Sequence, residues 1–227
     1  MSVPIRYKMN MGILSENDLV KLQEIKVIII GLGGLGGYVV NQLVRLGVCQ
    51  LILIDFDHFS VSNLNRQLFA NMDNIGESKV DVIFRELKKI NPNISIKIEK
   101  KRIQDVKNLK GNYMIDCVDN IDTKIYLSKL SNQLDIPLLH GSCGGWYGQV
   151  GWISPKCTLI EDLYGKEEKG LEDVLLNPPY VVNVVASYMV SEFTKMVTCR
   201  SKTMLDAILF IDLYKNTLIK LGDQGHG

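Results

Sequence analysis

The sequence predicts an α/β protein: a doubly wound, mainly parallel sheet extended by antiparallel strands towards its C-terminal end. Three observations predict it. The runs VIII (27–30) and LILI (51–54) are continuous and apolar, as strands buried on both faces are. A segment of helical periodicity opened by glycines lies between them, which makes one βαβ unit from Lys26 to Asp57. After Gly141 the texture changes: GGWYGQVGWIS (144–154) and AILFIDLYKNTLIKL (207–221) read as strands joined by hairpin turns.

The remaining elements follow in order. SENDLVKLQE (15–24) reads as a short helix with Ser15 as N-cap and Asp18 three positions on. Residues 58–76 form a polar loop with a helical turn. SKVDVIFRELKKI (78–90) has helix periodicity and stops at Asn91-Pro92. ISIKIEK (94–100) alternates as a strand, YMIDCVD (113–119) is a buried strand, 121–134 a helix, and PLLHGS (137–142) another strand. A polar segment, 156–177, leads through Asn177-Pro178-Pro179 to an apolar helix over 180–197, proline being tolerated in a first helical turn. With no repeat or linker, the expectation is a single domain over 1–227. Its nucleotide-binding core spans 15–142, and C-terminal strands and a helix span 143–227.

Composition excludes several classes. Among 227 residues, 26 Lys plus Arg face 25 Asp plus Glu, a net charge of +1. That balance argues against a nucleic-acid binder with a broad basic face. Hydrophobic residues at 46% and charged residues at 22% suit a globular protein, and no apolar run reaches a membrane span. MSVPIRYKMN lacks a signal-peptide pattern, so a cytoplasmic chain is expected. Five scattered cysteines (Cys49, Cys117, Cys143, Cys157, Cys199) include no CxxC pair, and His58, His140 and His226 are equally dispersed. A disulfide framework and a structural zinc site are therefore not expected.

Gly31, Gly33 and Gly36 fit GxGxxG between a strand and a helix, the Rossmann-like context in which backbone amides meet a phosphate. Asp55 closes the second strand 19 residues beyond Gly36, where an acid accepts ribose hydroxyls. On this motif alone an NAD-dependent oxidoreductase leads. Three further features pull away from it. Asp55-Phe56-Asp57 precedes the polar cluster Ser62-Asn63-Leu64-Asn65-Arg66-Gln67, where an arginine clamps phosphate bidentately. Lys79 opens a helix after Gly76-Glu77-Ser78 and is placed to lean towards a triphosphate. Asp116-Cys117-Val118-Asp119-Asn120 ends a strand; Asp119 suits Mg²⁺, which takes one or two carboxylates plus phosphate oxygens, whereas Asp116 reads as buried.

In that order, the glycine loop, DxD, SNLNRQ, GxxK and the downstream DN resemble the ThiF/MoeB/HesA family, relatives of ubiquitin-activating enzymes. The resemblance covers residues 6–152 well and the rest loosely. It implies ATP-dependent adenylation of the C-terminal glycine carboxylate of a small ubiquitin-like sulfur-carrier protein ending in Gly-Gly, by a homodimer. It implies that Gly34 and its neighbours line the phosphates of ATP and that Asp55 and Asp57 lie at the nucleotide. Ser62, Asn63 and Arg66 would contact phosphates, Lys79 would stabilise developing charge, and Asp119 with Asn120 would hold Mg²⁺ and nucleotide. Arg66, Lys79 and Asp119 are then the catalytic set.

The departures from the family are equally specific. Its N-terminal RYxRQ appears as Arg6-Tyr7-Lys8-Met9-Asn10, so the second arginine, which relatives send into the partner's site, is Met9. The zinc CxxC pairs are missing, Cys157 standing where the first would begin. Residues 158–198 contain no cysteine to capture the activated carrier. Chemistry ending at the acyl-adenylate is the expectation, with Cys143 read as structural. Trp146, Tyr147 and Trp152 are candidates for carrier docking or for packing. Other readings are a noncatalytic partner subunit and adenylation of a tRNA-base or peptide carboxylate.

Overall fold

Ser15 caps the first helix in both directions: its hydroxyl accepts from the Asp18 amide, and the Asp18 carboxylate accepts from the Ser15 amide. This capping box starts α1 (Glu16–Glu24). A computed structural model describes residues 4–165, 175–199 and 204–221. From α1 the chain runs through β1 (Lys26–Ile30), α2 (Gly34–Leu46), β2 (Gln50–Ile54), α3 (Lys79–Ile90), β3 (Ser95–Glu99), β4 (Tyr113–Asp116), α4 (Ile121–Leu134) and β5 (Leu138–Gly144). Then come β6 (Tyr147–Ile153), α5 (Leu159–Tyr164), α6 (Pro179–Thr198), β7 (Ile208–Asp212) and β8 (Thr217–Leu221).

The described strands make one sheet in the order β3-β2-β1-β4-β5-β6-β7-β8. β3 to β5 are parallel, and β6, β7 and β8 are antiparallel to their neighbours. Strand alternation divides the core in two. Val27 and Ile29 with Leu51 and Leu53 face α1, α2, α3 and α6; Ile28 and Ile30 with Ile52 and Ile54 face α4 and α5. Strand order reverses between β1 and β4, so their carboxyl ends splay apart where ligands gather in open α/β sheets.

Two boundaries differ from the sequence expectation. β4 ends at Asp116 rather than 119, because the Asp116 side chain takes the Val118 amide and turns the chain out of the ladder. β5 continues to Gly144, since β6 folds straight back on it through Gly145-Trp146, with Gly145 at φ +60°. The segment read as polar, 156–177, contains α5, whose Ile160 is buried; its stretch 166–174 lies outside the described residues. No described helix is long and apolar enough to cross a membrane.

Candidate functional site

The glycine turn after β1 is built for close approach. Gly31 has φ +86°, and a Cβ there would lie 2.7 Å from the Cys117 carbonyl oxygen at the end of β4. A Cβ on Gly36 would fall 1.9 Å from the Gly31 oxygen, so Gly36 lets α2 press onto the turn. Gly36 therefore serves packing and is absent from the lining of the cleft, contrary to its expected place among the binding residues. Gly33 is the N-cap of α2 and brings no capping side chain, which leaves the first-turn amides of a 13-residue helix open. Gly31, Gly33 and Gly34 line the cleft above that end, and the cleft encloses about 930 Å³, open mouth included.

Asp55 is only 8% exposed. One carboxylate oxygen accepts from the Leu32 amide at 2.6 Å and the other from the Asp57 amide at 2.8 Å, which staples the glycine turn to the end of β2. Burial raises its pKa, opposed by the Lys79 ammonium and by these two amides. Lys79 lines the cleft as its place at the start of α3 suggests, and its side chain is largely buried. Its Nζ meets Asp57 Oδ2 at 3.1 Å and its amide donates to the Asp57 carbonyl, because α3 begins directly against the 55–57 turn. The Asp57 carboxylate stays half exposed, so the pair presents both charges at the cleft.

Arg66 lines the cleft; its Nη1 donates to the Ser62 carbonyl and to Asn65 Oδ1, which aims the guanidinium. Asn65 in turn donates to the Asn177 carbonyl at the entrance of α6. Ser62 and Asn63 are not at the cleft. The Ser62 hydroxyl bonds that of Ser60, and buried Asn63 accepts from the Ser60 amide, so both shape the turn that delivers Arg66. Asp119 and Asn120 are exposed at the opposite wall; Asn120 Oδ1 caps α4 by accepting from Thr123.

Below Asp119 lies a sealed charge network. Lys124, 2% exposed, donates to the Val118 and Gly141 carbonyls at 2.6 and 2.9 Å and reaches Asp116 Oδ2 at 3.4 Å. His140 Nδ1 bonds the same Asp116 oxygen at 2.8 Å, and its Nε2 meets the Tyr164 hydroxyl. Burial opposes ionisation of Asp116, but the Lys124 ammonium and His140 outweigh it and hold the carboxyl below its usual range. His140 is driven the other way, its pKa lowered by burial in spite of Asp116. This network fixes the 116–119 turn and so places Asp119.

Gln67 belongs to the polar cluster that the sequence offers for ligand contact, whereas the cleft residues named after it are not singled out there. Gln67 is 6% exposed, lines the cleft beside Gly33, and its Oε1 has no hydrogen-bond partner among the described residues. Phe56 and Arg102 meet at the mouth, with Ile103 and Gln104 beside them. Phe56 lies inside a motif singled out for its flanking acids, and Arg102 lies in none.

Other candidates lie elsewhere. Arg6 donates to Asn91 Oδ1 at 2.7 Å, capping the region where α3 ends, while Met9 is 93% exposed. Trp152 is fully buried against Phe193 and Tyr113, so packing and not docking accounts for it. Trp146 is exposed beside Tyr180 and Tyr214, and Tyr147 stacks on Phe210. Cys143, by contrast, is buried yet belongs to the lining of the cleft, and burial pushes the Cys157 thiol up. His226 lies outside the described residues.

The cleft joins an open helix N-terminus, Arg66, the Asp57–Lys79 pair and Asp119, a donor set that fits a polyphosphate with a divalent cation. Among the described residues no cluster of three His, Cys, Asp or Glu side chains forms a metal site by itself.

Comparison with known proteins gives the chain's family and a shared fold. The sequence model of the ThiF family matches residues 6–223. The chain is 34% identical over 165 residues to the tRNA threonylcarbamoyladenosine dehydratase of Haemophilus influenzae, covering 70% of this chain and 60% of that protein. It is 38% identical over 175 residues to tRNA threonylcarbamoyladenosine dehydratase 2 of Saccharomyces cerevisiae, covering 74% of this chain and 38% of that one. To the molybdopterin-synthase adenylyltransferase of Salmonella typhimurium it is 35% identical over 184 residues, 77% of this chain and 74% of the relative. The chain thus spans less than two thirds of the first two relatives. The crystal structure of E. coli MccB with ATP superposes with a TM-score of 0.83 at 22% identity, over 97% of this chain and 72% of that one, which shows the shared fold.

Proposed function

Because this chain belongs to the ThiF family, we propose that its cleft adenylates the C-terminal glycine carboxylate of a small ubiquitin-like sulfur-carrier protein, using ATP and releasing pyrophosphate. The observation that carries the reading is the convergence of Arg66, the Asp57–Lys79 pair and Asp119 on the open N-terminus of α2 in one cleft. A carboxylate oxygen bonds the α-phosphorus while the bond to the pyrophosphate bridging oxygen breaks. No proton moves, so the reaction needs alignment and charge neutralisation rather than an acid or a base. The α2 amides and Arg66 hold phosphate oxygens, and Lys79, kept in place by Asp57, faces the charge that develops on the leaving group. Asp119 holds Mg²⁺, which supplies further neutralisation when bound. Asp55 spans the glycine turn and keeps its remaining acceptor capacity for ribose hydroxyls.

In this reading the chemistry ends at the acyl-adenylate, since no cysteine occupies 158–198 and Cys143, though it lines the cleft, is only 5% exposed. Assembly as a homodimer is part of the same reading. The test is ATP–pyrophosphate exchange with a carrier ending in Gly-Gly, followed by intact mass measurement on a non-reducing sample. Carrier-dependent exchange and carrier adenylate without an enzyme–carrier adduct are expected. A thiol-sensitive adduct lost in Cys143→Ser would overturn the endpoint.

A second reading keeps the reaction and changes the substrate to a carboxylate on a tRNA base. It is favoured by the two dehydratase relatives and by Lys101 and Arg102 at the mouth of the cleft. Exchange stimulated by tRNA and not by the carrier selects it.

A further inference from the structure

The chain from β3 to β4 is a crossover between parallel strands, a connection that usually carries a helix. Here its regular structure is one short helical turn, Ile103–Asp105. Ile103, Val106 and Leu109 pack against Ile28, Ile30, Ile52 and Ile54, so the segment crosses β2 and β1 with its apolar residues inward. What it turns outward is charge. Residues 100–110, KKRIQDVKNLK, hold five cations and one acid in a chain whose net charge is +1. The balanced composition conceals this segment, because the remainder of the chain is net negative. Lys100 is paired with Asp81, but Lys101, Arg102, Lys107 and Lys110 are exposed and have no ion pair among the described residues. Lys101 and Arg102 line the mouth of the cleft. Lys110 stands at the opposite end of the sheet, near exposed Lys26 at the start of β1. There the Asn112 amide donates to the Lys26 carbonyl and the Lys26 amide to Asn112 Oδ1, both at 2.8 Å.

We propose that this cationic strip is where the phosphate backbone of an RNA lies while a carboxylate on one of its bases enters the cleft. The proposal rests on the second reading above and adds where the body of that substrate sits. A nucleotide in the cleft can meet Lys101 and Arg102, but Lys107, Lys110 and Lys26 are outside its lining. They are in place for a ligand larger than the cleft, with negative charge repeated along it. An acidic protein fits less well. Interfaces between proteins have an apolar core rich in aromatic residues, whereas the apolar residues of this strip face inward. Lys and Arg spaced along an extended segment, with Gln104 and Asn108 between them, are the side chains that hold phosphate oxygens of a nucleic acid. Asp105 is the one opposing charge in the run.

The experiment measures binding of unfractionated tRNA to the full chain by fluorescence anisotropy, at salt from about 50 to 200 mM. Mg-ATP binding and melting temperature are followed beside it. The test variant is Lys107→Ala/Lys110→Ala, which leaves the cleft lining untouched. Each phosphate contact removed lowers the slope of log affinity against log salt by about one. The double variant should therefore lose about two from that slope and bind tRNA less tightly at the low-salt end. Mg-ATP affinity and melting temperature should stay at the wild-type values. Lys107→Arg/Lys110→Arg keeps both charges and should bind tRNA as the wild type does. An unchanged slope in the alanine variant would overturn the strip, as would a loss confined to a carrier protein ending in Gly-Gly. Exchange that responds to the carrier and not to tRNA would overturn the second reading itself, so the two failures are distinct.

Discussion

Asp116, the last residue of β4, and Asp119, three residues further on, live in opposite surroundings. Asp116 is 1% exposed and shared between Lys124 and His140, whereas Asp119 is exposed at the cleft wall. The contrast separates two regions, a sealed network that costs stability to disturb and an open cleft whose charged groups line accessible space. Lys79 belongs to both, buried like the first and facing the cleft like the second.

The largest expected effect tests the sealed side. Lys124→Met leaves the Asp116 carboxylate with His140 and the Val118 amide but no cation, and removing one partner of a buried pair costs about 3–5 kcal/mol. Urea unfolding should show that loss; a change near zero would place Lys124 with ordinary surface lysines. On the open side, Arg66→Ala and Asp119→Ala should each lower exchange by about 10²–10³ at an unchanged melting temperature. Lys79→Ala should lower both activity and melting temperature, since Asp57 then loses its buried partner. The doubles should fall far short of additivity, because the three act on one polyphosphate. Unaltered exchange in any single variant removes that residue from the site.

Gln67 gives a smaller effect with an informative sign. A buried polar atom without a partner costs about 1–3 kcal/mol, so Gln67→Met should raise the unfolding free energy of the free protein and weaken nucleotide binding. A purely structural glutamine would show the reverse on stability. The smallest effect is the pH response. The pKa of His140 is lowered from 6.5, so the fold holds it neutral; that stability is present above 6.5 and declines as pH falls below it. The depressed Asp116 carboxyl adds a loss that begins only below its ordinary 3.8. Melting temperature should therefore begin to fall below about pH 6.5, and His140→Gln should remove that early onset.

Much of the parallel half was legible because its signals are local. The Ser15–Asp18 capping box, the βαβ unit of 26–57 and α4 over 121–134 are written in adjacent residues, and the structure reproduces them. The C-terminal half reads less well, since its signals are contacts across the chain. Trp152 is an aromatic in a glycine-rich strand until Phe193 and Tyr113 enclose it. The burial of Lys79, the unpartnered Gln67 and the Phe56–Arg102 pair equally depend on segments that meet only in the folded sheet. Motif residues divided the same way: Gly33, Gly34 and Arg66 reach the cleft, while Gly36, Ser62 and Asn63 shape the turns that bring them there.

On the reading proposed above, the open side of this contrast is a polyphosphate site of the nucleotide-activating kind. Calorimetry of the full chain with Mg-ATP and with NAD tests it most directly. ATP binding that Arg66→Ala weakens, with no measurable binding of NAD, is the expected result. Tight binding of NAD, with no heat from ATP, would contradict it.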